Sequence, residues 1–172
     1  MKVVNLFESH DSKLEVSRRQ PHYHKTFLQI SEIFGAKKLG FHLSIIEPKN
    51  FSYPYHYHTT EEEMFLVLEG EATVRCNGEF GKVVAGDLFY YSTGPESVHN
   101  LYNHGDKPLK LLAISYNDPV DDQCFYPDSN KQTSPQGILQ NGQVVGYYKD
   151  EENPAQFWPA DALAGLSPRA VK

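Results

Sequence analysis

Residues 54–70 read PYHYHTTEEEMFLVLEG, and this stretch decides both the fold and the chemistry that the sequence predicts. His56 and His58 are two positions apart in an aromatic segment that should be extended, so both imidazoles should project from one face of a strand. Glu63 begins an apolar run that ends at the turn Glu69-Gly70 and should form the next strand. A returning strand can place this carboxylate beside the two imidazoles, which would supply three ligands to a divalent metal ion.

The order of these residues resembles the first motif of the cupin family. In that motif an HxH pair is followed by four residues, a glutamate, six residues and a glycine, and Glu63 and Gly70 occupy the last two places here. The family motif opens with a glycine at the position of Asn50. Asparagine tolerates a left-handed backbone better than any residue other than glycine, so Asn50 is expected to suit such a position.

Residues 86–103, GDLFYYSTGPESVHNLYN, resemble the second cupin motif. The Gly-Asp start, His99 and Asn103 all match that motif. Ser92 replaces the usual proline, and Gly94 lies two residues further from the histidine than usual. The longer loop is similar to that of a subgroup of small bacterial cupins, some of which are labelled sugar-phosphate isomerases.

The string FYPDSNK at residues 125–131 is similar to the same subgroup, so the resemblance extends from about residue 39 to residue 131. It implies an all-β fold, the cupin double-stranded β-helix barrel of jelly-roll type. The resemblance also implies a homodimer formed partly by the N-terminal segment. We expect a single domain over residues 1–172, with a barrel core at about 39–116, an N-terminal arm at 1–38 and a C-terminal extension at 117–172.

Residues 41–116 form a series of short apolar segments separated by turn signals, a pattern typical of an all-β sandwich or barrel. Asn77-Gly78 predicts a two-residue hairpin turn with positive φ at both positions, and Asn141-Gly142 predicts a second hairpin. Residues 27–34 fit either a strand or a short helical turn. The segment around Trp158 could pack on the body of the domain or on a partner subunit.

Together the two motifs predict a metal site made of His56, His58, Glu63 and His99. Three imidazoles and a carboxylate favour borderline divalent transition metals, namely iron, manganese, nickel, cobalt, zinc or copper, over calcium or magnesium. Four protein ligands leave one or two positions open for a small-molecule substrate or dioxygen. The competing interpretation is that these histidines only fill a polar barrel interior.

Strand parity sorts the neighbours of these residues. Glu61 and Glu62 compete with Glu63 for the carboxylate role, but the motif spacing favours Glu63 and parity places Glu62 on the opposite face. Phe65 and Val67 should share the inward face with Glu63. The pocket around the metal should therefore be mostly apolar and aromatic, as small-molecule sites usually are.

The other histidines lack ligand-like spacing. The second HxH pair, His22 and His24, is followed by no carboxylate at the distance of a returning strand, so both are expected to be exposed or packing residues. We interpret three further histidines as bystanders, namely His10, His42 and His104.

Four more residues carry reactive or charged groups, and each has a predicted role. Arg75 should be a solvated charge on the outer face, because the flanking valine and cysteine make better interior residues. A dedicated phosphate site is therefore not predicted. Cys124 is expected to be a buried, inert thiol. Tyr90 or Tyr91 could donate a phenol, although core packing is the expected role of either.

Size and composition restrict the function classes. The chain has 172 residues, of which 40% are hydrophobic, and a net charge of −6, which suits one globular domain. No basic stripe is present, so a nucleic-acid partner is not expected. The N-terminus does not resemble a secretory signal, and no window is apolar enough to span a membrane. The two cysteines are expected to be reduced, and the protein is expected to be cytoplasmic.

Two functional hypotheses follow from the predicted site. In the first, the protein is a metal-dependent enzyme that isomerises, epimerises or oxidatively cleaves a small polar or carbohydrate-like metabolite. In the second, it is a non-catalytic protein that binds or senses a small molecule. No general base is identifiable from the sequence, and cupins host many unrelated chemistries, so the reaction itself is not predicted.

Overall fold

A computed structural model describes residues 1–8, 15–17, 20–116 and 122–166. Within these ranges the chain forms fourteen strands and two short helices. Their bounds are β1 Glu15–Ser17, β2 Lys25–Leu28, α1 Ile30–Phe34, β3 Leu39–Ile46, β4 Tyr57–His58, β5 Glu63–Glu69, β6 Glu71–Cys76, β7 Glu79–Val84, β8 Leu88–Tyr91, β9 His99–Tyr102, β10 Leu109–Tyr116, β11 Cys124–Tyr126, β12 Lys131–Ser134, β13 Gly137–Gln140, β14 Gln143–Val144 and α2 Ala160–Leu163.

The strands form two facing layers. One is a six-stranded antiparallel sheet in the order β1-β2-β3-β10-β5-β8. The other combines the sheet β7-β6-β9 with the sheet β14-β13-β12-β11-β4. Two isolated bridges, Phe51↔Tyr102 and His56↔His99, connect β9 to the segment that leads into β4. The predicted all-β fold, a double-stranded β-helix barrel, is confirmed.

The barrel core lies between these layers, where inward-facing side chains of β3, β5, β9 and β10 meet. Phe65 and Val67 on β5 are buried there against Leu101 of β9 and Leu111 of β10. These are the residues that alternate with Glu63 along the strand, so the parity prediction for β5 is confirmed. The apolar core therefore ends at Glu63, which places a carboxylate at its rim.

Turn residues set the strand registers as predicted. Asn77 and Gly78 have φ of 47° and 77°, and Asn141 and Gly142 have φ of 51° and 76°. Both hairpins therefore carry positive φ at each central position, as the Asn-Gly pairs require. Residues 27–34 contain both predicted alternatives, because β2 ends at Leu28 and α1 begins at Ile30.

The expected left-handed backbone falls one residue earlier than the motif position. Lys49 has φ of 59°, whereas Asn50 is not among the residues with positive φ. The Asn50 side chain instead accepts the backbone N–H of His24 at 2.9 Å and donates to the carbonyl of Pro48 at 2.9 Å. The expectation for Asn50 is wrong because its side chain, rather than its backbone conformation, fixes this turn.

The terminal segments pack on the barrel. Strand β2 pairs with β3, so the N-terminal part extends the six-stranded sheet. Trp158 is buried against Phe51 and Tyr102, together with the fully buried Tyr23. Of the two predicted positions for the segment around Trp158, the structure therefore has it on the body of the domain. No helix in the described ranges is long and apolar enough to cross a membrane.

Arg75 is not the solvated charge that the sequence predicts. Its guanidinium pairs with both carboxylate oxygens of Asp128, at 2.5 and 3.1 Å, and lies 3.7 Å from the ring centre of Tyr55. The side chain does lie on the outer face of β6, but the C-terminal extension covers that face. The ion pair attaches the extension to the barrel.

A second buried ion pair lies within the same extension and joins two of its segments. Lys131 and Glu151 are 3.3 Å apart, and their side chains are 0% and 1% exposed. Glu151 also accepts the hydroxyl of Ser129 and, at 3.2 Å, the backbone N–H of Tyr55 beside the histidine segment. A buried charge that loses its partner is strongly destabilising, so this pair should be essential to the fold.

We expect Glu151→Gln to lower the free energy of unfolding by about 3 kcal/mol, because it leaves the Lys131 ammonium buried without a countercharge. Urea denaturation measures the change. The matched control is Glu152→Gln at the neighbouring exposed position, which should change stability by less than about 0.5 kcal/mol. Equal stability of the two variants would contradict the assigned role of Glu151.

Candidate metal centre

The site begins with a backbone contact between the two cupin-like motifs. His56 and His99 are paired in antiparallel fashion and exchange both backbone hydrogen bonds, at 3.0 and 2.8 Å. Residues directly opposite in such a pair project their side chains to the same face. The two imidazoles consequently lie side by side, with ring centres 4.8 Å apart. Gly94, in the longer loop of the second motif, donates its N–H to the His58 carbonyl at 2.8 Å and fixes the other end of the segment.

Each of the three site histidines has its Nδ1 atom bound to a fixed acceptor. Because a carbonyl or carboxylate oxygen can only accept, Nδ1 is the donor and Nε2 carries the lone pair or a second proton. This arrangement is typical of histidines that bind metal through Nε2. The acceptors are Pro54 O for His56 at 2.8 Å, Ser97 O for His99 at 2.8 Å and Asp122 Oδ2 for His58 at 2.6 Å.

The three Nε2 atoms surround one oxygen of Glu63. Glu63 Oε2 is 3.1 Å from the Nε2 atom of His99, 3.8 Å from that of His58 and 4.0 Å from that of His56. All four predicted site residues are therefore brought together. Glu63 Oε2 and His99 Nε2 are buried, and neither has a hydrogen-bond partner of acceptable geometry. Orphaned buried polar atoms are rare, and two such atoms aimed at one point fit a shared metal ion.

The electrostatics of the site keep Glu63 ionised and His56 neutral. Burial by itself raises the pKa of Glu63, but the neighbouring imidazoles outweigh it and bring that pKa down to about 2. Burial, reinforced by the adjacent His99, lowers the pKa of His56 to about 3. A carboxylate and an uncharged imidazole are the protonation states that metal coordination requires.

Asp122 is a site residue that the sequence analysis missed. It accepts from His58 and from the backbone N–H groups of Thr60 and Glu61, at 2.9 and 3.1 Å. Burial lowers the pKa of His58, but Glu63 and Asp122 together raise it above its ordinary value. Asp122 lies 64 residues beyond His58 in a stretch without ligand spacing, so no local signal could have identified it.

Cys124 also lies at the site. It opposes His58 in the β4–β11 pair, and its sulfur belongs to a group with His56 and His58 in which all ligand atoms are within 4.8 Å of one another. The thiol is buried as predicted, and burial raises its pKa to about 12 in the metal-free protein. The sequence analysis found no histidine near Cys124 because the pairing joins segments 66 positions apart.

Aromatic rings enclose the histidines. Tyr91 stacks on His99 with ring centres 3.6 Å apart, so packing is its role, as expected. Tyr90 is exposed and donates to Glu62 on the outer face at 2.7 Å. Glu62 therefore lies on the face opposite Glu63, as parity predicted.

A cavity of about 400 Å³ opens beside the imidazoles. No lysine or arginine is among its described lining residues, whereas phenols, hydroxyls and carboxylates are frequent. The Lys25 ammonium lies over the ring of Tyr53, one of the lining residues, and donates to the Ser52 carbonyl at 3.1 Å. The lining residues are His42, Tyr53, His56, His58, Glu61, Glu63, Phe65, Asp122, Cys124, Tyr126, Thr133 and Tyr147.

The remaining histidines are outside the metal-ligand groups formed by the described residues. His42 nevertheless lines the cavity, and its Nε2 atom is 3.3 Å from the Tyr53 hydroxyl. His104 is buried away from the site, where it contacts Thr73 and Glu71. His22 and His24 flank the buried Tyr23, consistent with packing residues. His10 lies outside the described residues.

His42 should make the metal-free protein sensitive to acid. Burial lowers its pKa to about 4, whereas the unfolded chain has the ordinary value of 6.5. The unfolded state therefore takes up a proton first, and this contribution to stability is lost as the pH falls from about 6.5 towards 4. We expect His42→Gln to reduce the stability difference between pH 7.5 and 4.5 by about 2 kcal/mol, because one pKa unit corresponds to about 1.4 kcal/mol.

Urea unfolding of the chelator-treated wild type and variant at both pH values measures this difference. The comparison of wild type and variant at pH 7.5 is the internal control, because His42 is largely uncharged at this pH in both the folded and the unfolded state. A variant whose stability falls as steeply with acid as that of wild type would contradict the burial argument.

Comparisons with known proteins agree with this architecture. Residues 42–115 match the Cupin domain family model. The structure of a sugar phosphate isomerase from Silicibacter pomeroyi, a cupin-superfamily protein, superposes with a TM-score of 0.66 at 20% identity and covers 78% of this chain and 94% of its own. At that identity the likeness concerns the fold alone.

Two curated sequences are similar over the barrel. An uncharacterized protein from Methanocaldococcus jannaschii is 38% identical over 61 residues, which are 36% of this chain and 47% of that protein. An oxalate-binding protein from Thermotoga maritima is 31% identical over 67 residues, which are 39% of this chain and 54% of that protein. The chain thus spans about half the length of the curated relatives it matches. The motifs and the barrel topology agree with the match of residues 42–115 to the Cupin domain model, so this part of the chain is a cupin domain.

Proposed function

We propose that this protein is a metal-dependent cupin that acts on a small, uncharged, polar or carbohydrate-like metabolite. A divalent transition metal would be held by His56, His58, Glu63 and His99. The observation that carries the proposal is the convergence of three Nε2 atoms on Glu63 Oε2 within 4.0 Å, with His99 Nε2 and Glu63 Oε2 both buried and without hydrogen-bond partners.

The donor set suits a borderline divalent metal. Three neutral nitrogen donors and one carboxylate match iron, manganese, nickel, cobalt, zinc or copper, whereas calcium and magnesium prefer oxygen donors. When bound, such an ion would polarise a carbonyl or hydroxyl group, or act as a redox centre towards dioxygen. The protein's own contribution is to hold the ligands by their Nδ1 atoms and to exclude water with the surrounding aromatic rings.

The cavity walls favour an uncharged ligand over an anion. The S. pomeroyi neighbour is a sugar phosphate isomerase, and the T. maritima relative is an oxalate-binding protein. Apart from the metal ion itself, a phosphate or dicarboxylate would find no cationic partner here, because the described lining of this cavity contains no lysine or arginine. Phenols and hydroxyls of Tyr53, Tyr147 and Thr133 can instead bind the hydroxyl groups of a polyol or sugar.

Two groups in the cavity wall can accept or hold a proton. His42 is neutral because burial lowers its pKa to about 4, and it faces the cavity beside the Tyr53 hydroxyl. Glu61 has a pKa raised by burial and also lines the cavity, near His58. Proton transfer between carbons or oxygens of a sugar requires such groups, so isomerisation or epimerisation is the reaction class that the cavity supports best.

Metal loading is the first test. We expect wild type to bind about one equivalent of a divalent transition metal, and His56→Ala/His99→Ala to bind none, because two of four ligands are lost. The matched control is His22→Ala/His24→Ala, which removes the other HxH pair and should retain the metal. Asp122→Ala should weaken binding by about 10- to 100-fold, since it removes the acceptor that orients His58.

Elemental analysis after dialysis and titration calorimetry measure these outcomes. Metal retained by the double variant of the site, or lost only from the control pair, would refute the ligand assignment. Circular dichroism of each variant verifies that the fold persists.

A second candidate function is non-catalytic ligand binding, which the similarity to the oxalate-binding protein favours. Turnover separates the two functions. For the enzyme we expect metal-loaded wild type to convert a sugar or polyol from a screen of neutral and phosphorylated compounds, and His99→Ala to lose at least about 100-fold in kcat/KM while remaining folded.

Binding of a neutral compound without conversion over long incubation would support the binding protein instead. Preference for a phosphorylated sugar or for oxalate would contradict the ligand class. Oxygen consumption during turnover would favour oxidative cleavage over isomerisation.

A further inference from the structure

We propose that Cys124 is an additional ligand of the same centre and makes it selective for thiophilic ions such as zinc, cobalt, nickel or copper. The inference rests on the proposed metal site and deepens it by naming the class of metal. Nitrogen and oxygen donors alone admit hard and borderline ions, whereas a thiolate shifts the preference towards softer ones.

The strand pairing aims the sulfur at the site. Cys124 on β11 lies directly opposite His58 on β4, and directly opposed residues of an antiparallel pair share a face. Its side chain lines the cavity together with the imidazoles and is only 5% exposed. The Tyr126 hydroxyl, on the same strand, interacts with the sulfur and can continue to donate to a thiolate.

Two groups of potential ligands overlap at this point. One consists of His56, Glu63 and His99, and the other of His56, His58 and Cys124; within each group all ligand atoms lie within 4.8 Å of one another. His56 belongs to both, and its Nδ1 atom is bound to the Pro54 carbonyl, so only its Nε2 atom is available. The two groups therefore share the Nε2 atom of His56, and they form one centre rather than two independent sites.

Two unpaired buried atoms, Glu63 Oε2 and His99 Nε2, indicate a bound ligand at this centre independently of the cysteine. His99 is 5% exposed, and its Nε2 atom has no hydrogen-bond partner. Coordination by the thiol breaks its S–H bond, forms a metal–sulfur bond and releases one proton to solvent. No electron is transferred, so no oxidant or reductant is required.

Cobalt provides a readout that does not depend on activity. A thiolate bound to Co²⁺ produces an intense charge-transfer band in the near ultraviolet, which nitrogen and oxygen ligands do not produce. We expect chelator-treated wild type to bind about one equivalent of Co²⁺ and to show this band. Cys124→Ser should still bind Co²⁺ through the histidines and Glu63 but lose the band.

Cys76→Ser is the matched control, because Cys76 and Cys124 are the two cysteines of the chain. Cys76, on β6, lies directly opposite His99, on β9. It nevertheless joins no group of potential metal ligands among the described residues. The control should keep the full band. Since Cys124 is then the sole cysteine, a band in this variant assigns the sulfur even if Cys124→Ser fails to fold.

Competition titrations measure the selectivity. Cys124→Ser should lose at least about tenfold in affinity for Zn²⁺ and less than twofold for Mn²⁺, because only the softer ion gains from a thiolate. Bound Co²⁺ without the band in wild type, or a band that persists in Cys124→Ser, would overturn the inference while leaving the proposed metal site intact. Failure of wild type to bind any ion would overturn both.

Discussion

The ionised carboxylate of Glu63 at the rim of the apolar core is the constraint on which the site depends. Burial of an isolated carboxylate costs several kcal/mol, and a protein normally avoids this cost by protonating the group. Here the imidazoles outweigh burial and hold the pKa of Glu63 at about 2. Three histidines converge on this charge, and the strand pairings around it maintain that convergence.

The C-terminal extension is part of this arrangement and not an accessory to it. It supplies Asp122 and Cys124, and it closes one wall of the cavity. The largely buried Arg75–Asp128 ion pair attaches it to the barrel, and the buried Lys131–Glu151 pair joins two of its own segments. An ion pair removed from water contributes mainly by fixing one geometry, since its desolvation cost offsets much of its attraction. A catalytic or binding role for the centre would therefore require the barrel and the extension to be correctly docked.

The side chains that line the cavity bear on which ligand the proposed centre would bind. A shared fold does not imply a shared substrate, because the ligands of a barrel are selected by its lining side chains. The described lining of this cavity offers carboxylates, phenols and a hydroxyl, and it contains no lysine or arginine. In the proposed function, a metal ion would supply the positive charge at the centre. The surrounding hydroxyl groups would then bind the polar groups of an uncharged ligand.

Three features could be predicted from the amino-acid sequence alone: the barrel, the hairpin turns at Asn77-Gly78 and Asn141-Gly142, and the residues that surround Glu63. Each of these depends on short-range rules: a two-residue period along strands, positive φ at Asn-Gly turns, and motif spacing. Three further features follow from the folded chain and not from local sequence: Asp122 orients His58, Cys124 faces the site, and Arg75 is paired with Asp128. These contacts join residues 53 to 66 positions apart, and their energies come from burial and from partners that no local pattern encodes.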